Sequence, residues 1–208
     1  MSKRHFRRTT LLTCLALAAV AAGAAKTDEP FYYRNRLTAN ARANAAKYAW
    51  AKTIYEKKTG DARSWADWTD ERLLHYVPDV TPMRPCDCPN CGKYWREYIW
   101  DWSAGRPDEV VCRFCGKPTS LELFPENDVF VCQDPQGVEQ KLPFYRDANG
   151  KRFFIRSVIG HYQFLHATRM AVTLAEAYAL TGEELFARKS LLLLRRMGEV
   201  YPGYVLKD

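Results

Sequence analysis

No stretch of this sequence is apolar for long enough to cross a lipid bilayer. The apolar run Leu11 to Val20 falls well short of the roughly 20 residues that a spanning helix needs, which excludes an ordinary membrane anchor there. A strong charge excess is missing too. The chain carries 31 Lys and Arg against 24 Asp and Glu, but Lys3, Arg4, Arg7 and Arg8 all precede the apolar run. Without those four, 27 basic residues face 24 acidic ones, a balance of +3, and net charge gives no case for a nucleic-acid partner. What is present at the amino terminus is a basic region, a short apolar run and the small residues Ala22-Gly23-Ala24, the pattern of a secretory signal peptide over residues 1–25. Arg7-Arg8 ahead of Leu11-Leu12 faintly resembles a twin-arginine signal. The expected address is therefore outside the cytoplasm, periplasmic or extracellular, with Cys14 leaving in the leader.

Cysteine is where the sequence is rich. Cys88-Pro-Asn-Cys91-Gly92 and Cys112-Arg-Phe-Cys115-Gly116 have the spacing of a four-cysteine zinc ribbon. Two residues between thiolates let both sulfurs of a turn face one ion. The glycine after each pair can take positive φ and carry the chain away from the metal. Disulfides are the competing expectation, because exported cysteines usually pair with each other, and iron bound as in rubredoxin is a lesser alternative. Cys86 and Cys132 are left over as further thiols or a pair. Four thiolates close the coordination sphere, so zinc here is read as structural rather than catalytic.

Around that motif the chain divides into a helical segment (26–83), a β-rich ribbon module (84–156) and an αα-hairpin (157–208). A helix is expected from Thr38 to about Lys58, interrupted at Gly60 and resuming from Ala62 to Trp68. A short helix capped by Thr69 should follow and end at Val77-Pro78. Val110-Val111, Val129–Val131, Leu142–Tyr145 and Phe153–Ile155 read as strands, with Asn149-Gly150 as a hairpin turn. His161 to Leu180 and Glu183 to Val200 read as antiparallel helices joined at Gly182, with Thr181 and Glu184 in capping-box spacing and Glu184 paired to Arg188. Phe186, Leu191, Leu193 and Leu194 are expected to pack. Both helices are apolar over a wide arc, more than two helices can bury, so companion helices and a missing C-terminal part of the same polypeptide are expected.

With these pieces placed, the chain resembles the N-terminal region of heparinase II/III-like and alginate-lyase-like bacterial polysaccharide lyases. The resemblance lies in Arg42-Ala43-Asn44 through Tyr48-Ala49-Trp50-Ala51, in the two Cys-x-x-Cys-Gly knuckles followed by Phe124-Pro125-Glu126-Asn127, in Ala175 through Gly182, and in Tyr201-Pro202-Gly203-Tyr204. It implies a mainly α fold: a partial (α/α) toroid of αα-hairpins carrying a small β-rich zinc-ribbon insert. It also implies an anionic polysaccharide as partner and β-elimination at a uronic acid, in which a base takes the C5 proton and an acid protonates the leaving oxygen. The family's catalytic groups are expected later in the toroid and in a C-terminal sheet domain.

Within the chain, the weak catalytic candidates are His161, Tyr162 and His166, whose alternative role is packing near a helix start. His75 ranks below them. Trp95, Trp100 and Trp102, with Tyr98 nearby, are candidates for stacking on sugar rings or, alternatively, form the ribbon's own small core. Arg188, Arg195 and Arg196 read as a solvated helix face. Two other functions compete with the lyase segment: a non-catalytic ribbon-plus-hairpin module that binds glycan or protein, and a rubredoxin-like electron carrier.

Overall fold

The computed structural model describes residues 35–134 and 136–205; the expected leader, with Cys14, lies outside them. Two helices open the described chain, α1 (Asn35–Lys47) and α2 (Ala49–Ala66). The break falls at Tyr48, which is extended at φ −120° and ψ 129°. It does not fall at Gly60, which α2 runs straight through. A Cβ at Gly60 would meet nothing within 4 Å, so this glycine costs helix propensity without forcing a bend. The short α3 (Asp70–Leu74) is capped as its sequence predicts, Thr69 Oγ1 accepting from the Arg72 N–H at 3.2 Å.

Six strands follow in two antiparallel sheets. The first sheet is β1 (Trp100–Ser103), β2 (Arg106–Cys112) and β3 (Pro118–Ser120) in that order, with Trp100 opposite Cys112 and Val110 opposite Thr119. The second is β4 (Asp128–Gln133), β5 (Glu139–Arg146) and β6 (Arg152–Phe153). Its β5–β6 turn is tied by Asp147, whose Oδ1 accepts from the N–H groups of Asn149 and Lys151, with Gly150 at φ 82°.

Two long helices complete the chain, α4 (Ile155–Thr181) and α5 (Glu184–Val200). Residues 154 and 155 are not strand. The helix begins six residues before His161, because Ile155, Val158 and Ile159 are needed to plug the ribbon core and a strand would turn them to opposite faces. Gly182, left-handed at φ 76°, ends α4 as expected. The capping box does not form: Thr181 Oγ1 donates back to the Ala177 carbonyl at 2.8 Å, and Glu183 is the N-cap of α5. Glu183 is instead drawn to Arg63, and Arg188 to Asp70 at 3.0 Å rather than to Glu184.

Helix α4 belongs to two cores. Its first turns pack with Ile99, Trp100, Val110 and Phe153 around the buried sulfurs of Cys88 and Cys112. Its later turns bring Ala167, Met170, Ala171, Leu174 and Ala177 against Ala62 and Ala66 of α2, Leu73, and Phe186 and Leu193 of α5. The alanines let the helix axes approach closely. Gly160 marks the junction: a Cβ there would lie 3.1 Å from the Pro78 Cβ, so the chain leaving α3 crosses α4 where a side chain would fit only if Pro78 gave way by a few tenths of an ångström.

The helical body is not fully covered. Leu165 and Val172 on α4, and Leu191 and Leu194 on α5, are half exposed or more. Leu191 and Leu194 therefore do not pack as expected. The described chain is a mixed fold, largely helical with two small sheets; it does not itself display a toroid. Among the described residues, no helix is long and apolar enough to cross a membrane.

Candidate metal centre

The two knuckles are built alike. In the first, the Cys88 N–H donates to the Lys93 carbonyl at 3.0 Å and the Gly92 N–H to the Cys88 carbonyl at 2.9 Å. In the second, the Cys112 N–H donates to the Lys117 carbonyl at 3.1 Å and the Gly116 N–H to the Cys112 carbonyl at 2.8 Å. Gly92 and Gly116 stand at φ 71° and 69°, the left-handed conformation that glycine takes without a Cβ penalty. The same local sequence thus makes the same turn twice, and the β2 strand carries the second turn to the first.

The four sulfurs all lie within 4.8 Å of one another. Cys88 Sγ is 3.8 Å from Cys115 Sγ, and Cys91 Sγ is 3.9 Å from Cys112 Sγ. Sulfurs about 2.3 Å from a central ion at tetrahedral angles would stand about 3.8 Å apart, whereas a disulfide needs about 2.05 Å. The cluster has the dimensions of a cage for an ion, and these cysteines are free thiols. Cys88, Cys91, Cys112 and Cys115 could hold a metal ion.

Burial pushes the Cys88 thiol up to about 12. In the other direction, the Lys117 backbone N–H holds the Cys115 thiol below its ordinary value. Binding a cation here means displacing thiol protons, so affinity falls as the pH is lowered. Cys86 stays outside the cluster. It is buried beside Asp87, and desolvation raises its pKa strongly. Cys132 sits on β4 with its Sγ 3.9 Å from the Gln140 carbonyl. Both are free, so the pair considered from sequence is not formed.

The aromatic candidates separate. Trp100 is buried, its Nε1 donating to the Cys86 carbonyl at 2.9 Å. Trp102 is half-buried, donates to the Pro107 carbonyl at 3.0 Å and stacks on Tyr162. Trp95 is half-buried at the start of a 3₁₀ turn, Trp95–Glu97. Trp100 and Trp102 are core residues of the ribbon and of its seam with α4. The exposed rings of the ribbon are others: Tyr94, Tyr98 and Phe114.

Among the described residues no hydrogen bond joins the His and Tyr candidates to one another. The Tyr162 hydroxyl donates to the Trp100 carbonyl at 3.3 Å. His166 lies among Trp65, Tyr76 and Trp102, its ring centroid 5.1 Å from that of Tyr76. Burial holds His161 and His166 below the ordinary imidazole range and Tyr162 above the ordinary phenol range. The three rings lie close together, His161 5.4 Å from Tyr162 and both Tyr162 and His166 against Trp102, and the buried His166 Nε2 has no hydrogen-bond partner among the described residues.

The lowest-ranked histidine has the most organised partners. His75 Nε2 lies 2.7 Å from Asp108 Oδ1, and the nearly buried Gln163 donates to the same oxygen at 3.1 Å and to the Pro107 carbonyl at 3.2 Å. They border a cleft of about 630 Å³ between β2–β3 and α4. Arg106 and Arg156 also line it, but Glu109 and Glu126 already neutralise them, each at 2.6 Å. Residues 75, 108 and 163 share no local motif, so only the fold brings them together. Lys189 was missed as well: it is buried in α5, with its Nζ 2.7 Å from Asp70 Oδ1.

Fold and site together define a largely helical protein with a four-cysteine ribbon able to hold a metal. No protein-family model matches the chain, nor does any curated protein or solved structure. The likeness to polysaccharide lyases thus stands on the sequence motifs alone.

Proposed function

We propose that this chain is the amino-terminal segment of an exported polysaccharide lyase that cleaves a uronic-acid-containing anionic polymer by β-elimination. In this reading the four cysteines hold zinc as a structural ion, which neutralises the thiolates and closes the ribbon, and the proton-transfer groups lie in further polypeptide. The observation that carries it is the uncovered apolar surface of the α4–α5 hairpin, Leu165, Val172, Leu191 and Leu194. A further layer of helices would bury that surface, as in a toroid.

The experiment is to incubate the 208-residue chain, and separately a polypeptide extended beyond Asp208, with uronate polymers and follow the ultraviolet absorbance of the unsaturated product. The extended polypeptide should produce it and the shorter chain should not. Product from the shorter chain would overturn this placement of the catalytic groups, and its absence from both would overturn the lyase itself.

The second reading, a non-catalytic ribbon module that binds glycan or protein, is favoured by the exposure of Tyr94, Tyr98 and Phe114. A rubredoxin-like carrier differs from both in that the iron-loaded protein would be coloured.

A further inference from the structure

We infer that the outer face of the ribbon is a binding surface for an acidic glycan, assembled by the metal centre itself. The acidic class of polymer rests on the lyase reading; the surface rests on the geometry of the knuckles. Three aromatic rings of the ribbon are exposed, Tyr94, Tyr98 and Phe114, at 48%, 65% and 55%. Large apolar rings gain nothing from water, and a group of them on one module marks an interaction site more often than a lone one does.

Two rings are placed by the knuckles and one by the turn that follows the first. Phe114 lies between Cys112 and Cys115, and Tyr94 is three residues past Cys91. Tyr98 closes the 3₁₀ turn at φ 56° and ψ 50°, the positive-φ non-glycine residue among those described. A left-handed tyrosine is strained, and such strain persists where the surroundings impose it. Here the next residue, Ile99, is fully buried, and its carbonyl is tied to the Arg113 N–H at 2.8 Å. The turn that sinks Ile99 throws the Tyr98 ring outward.

Cations accompany the rings. The Arg84 guanidinium sits 4.6 Å from the Tyr98 ring centroid, and the Lys93 ammonium 4.4 Å from that of Phe114. Arg96 lies 5.4 Å from the Trp95 ring. The acids of this face are already engaged, Glu97 with Lys93 and Asp101 with Arg113, both at 2.7 Å. Arg84 and Arg96 have no carboxylate within ion-pair distance among the described residues. An exposed ring beside an unpaired guanidinium, Tyr98 with Arg84, matches the two halves of a uronate: the apolar C–H face of the sugar lies on the ring, and the carboxylate takes a bidentate hydrogen bond from arginine. Stripping the metal would unmake the knuckles and the surface with them.

The test is titration calorimetry of the metal-loaded 208-residue chain against three polymers: a polyuronate, a neutral glucan of similar length and single-stranded DNA. Tyr98→Gly removes the ring while suiting the positive φ, and Phe114→Ala removes the second. Unchanged metal content and circular dichroism confirm the folding of each variant. The polyuronate should bind best, each variant should weaken it roughly tenfold, and chelation should abolish it. Unchanged affinity in both folded variants, equal binding of the neutral glucan, or equal or tighter binding of DNA would each overturn the inference. Because binding is read without turnover, the two ideas fail separately. Binding without any unsaturated product from the extended polypeptide sinks the lyase alone, and product without ring-dependent binding sinks the surface alone.

Discussion

The ribbon and the helical body are stabilised in different ways, although one helix serves both. The helical core is closed by side chains alone. Alanines on α2 and α4 bring the helices together, and Leu174, Phe186 and Leu193 fill what is left. The ribbon core is small and counts two buried cysteines, Cys88 and Cys112, among its members. A module of this size rarely supplies enough apolar burial to fold unaided and leans on a staple. The difference teaches that identical packing rules give one region that holds by area and another that a metal in the four-cysteine cage would hold by coordination, with α4 from Ile155 to Ala177 running between them.

The sharpest way to break the comparison is Cys112→Ser. Structural zinc in small domains is worth on the order of 10–16 kcal/mol of apparent binding, so the ribbon should unfold while the helical core survives. Hydrogen exchange should show the amides of β1 and β2 losing protection while those around Leu174 and Leu193 keep theirs. Loss of protection in both regions together would mean that the cores are one cooperative unit. Leu174→Ala should do the converse, costing about 2–5 kcal/mol through a cavity in the helical core, measured as a lower denaturation midpoint with metal content unchanged.

Gly160→Ala addresses the junction. Its new methyl would press on Pro78 at 3.1 Å and should cost about 1–3 kcal/mol, whereas Gly60→Ala, into open space in α2, should stabilise by about 0.5–1 kcal/mol. Thermal melts of the two variants should therefore move in opposite directions. The smallest effect is at Asp70, whose carboxyl the Lys189 ammonium holds below its ordinary range. A depressed carboxyl contributes stability that is present above the usual carboxylate pKa and is lost as pH falls through the folded value. Asp70 is partly exposed, so less than about 1 kcal/mol is at stake. Asp70→Asn should flatten the decline in denaturation midpoint below about pH 4.

The four-cysteine cluster was the most legible part of the sequence because all its information is local. A knuckle is five residues long, and its spacing and glycine dictate the turn wherever the chain goes. The strands around Val110, Phe130 and Phe144, the Thr69 cap and the Gly182 stop were local in the same way. What sequence did not disclose was long-range. Ile155 looked like strand until the ribbon needed it at the start of α4, and Glu183, Arg188 and Lys189 chose partners on α2 and α3 rather than on their own helix. His75 and Asp108, separated by 33 positions, become neighbours only because β2 docks on α4. Leu191 and Leu194 read correctly as apolar, but a periodic stripe says only that a face wants covering and not what covers it.

Everything turns on whether one ion sits among Cys88, Cys91, Cys112 and Cys115, and native mass spectrometry of the intact chain asks that directly. The account predicts one metal ion per chain, with the mass deficit of displaced thiol protons and those four cysteines protected from alkylation until a chelator is added. A metal-free chain whose four thiols alkylate freely, or a mass showing the knuckle cysteines joined as disulfides, would contradict it.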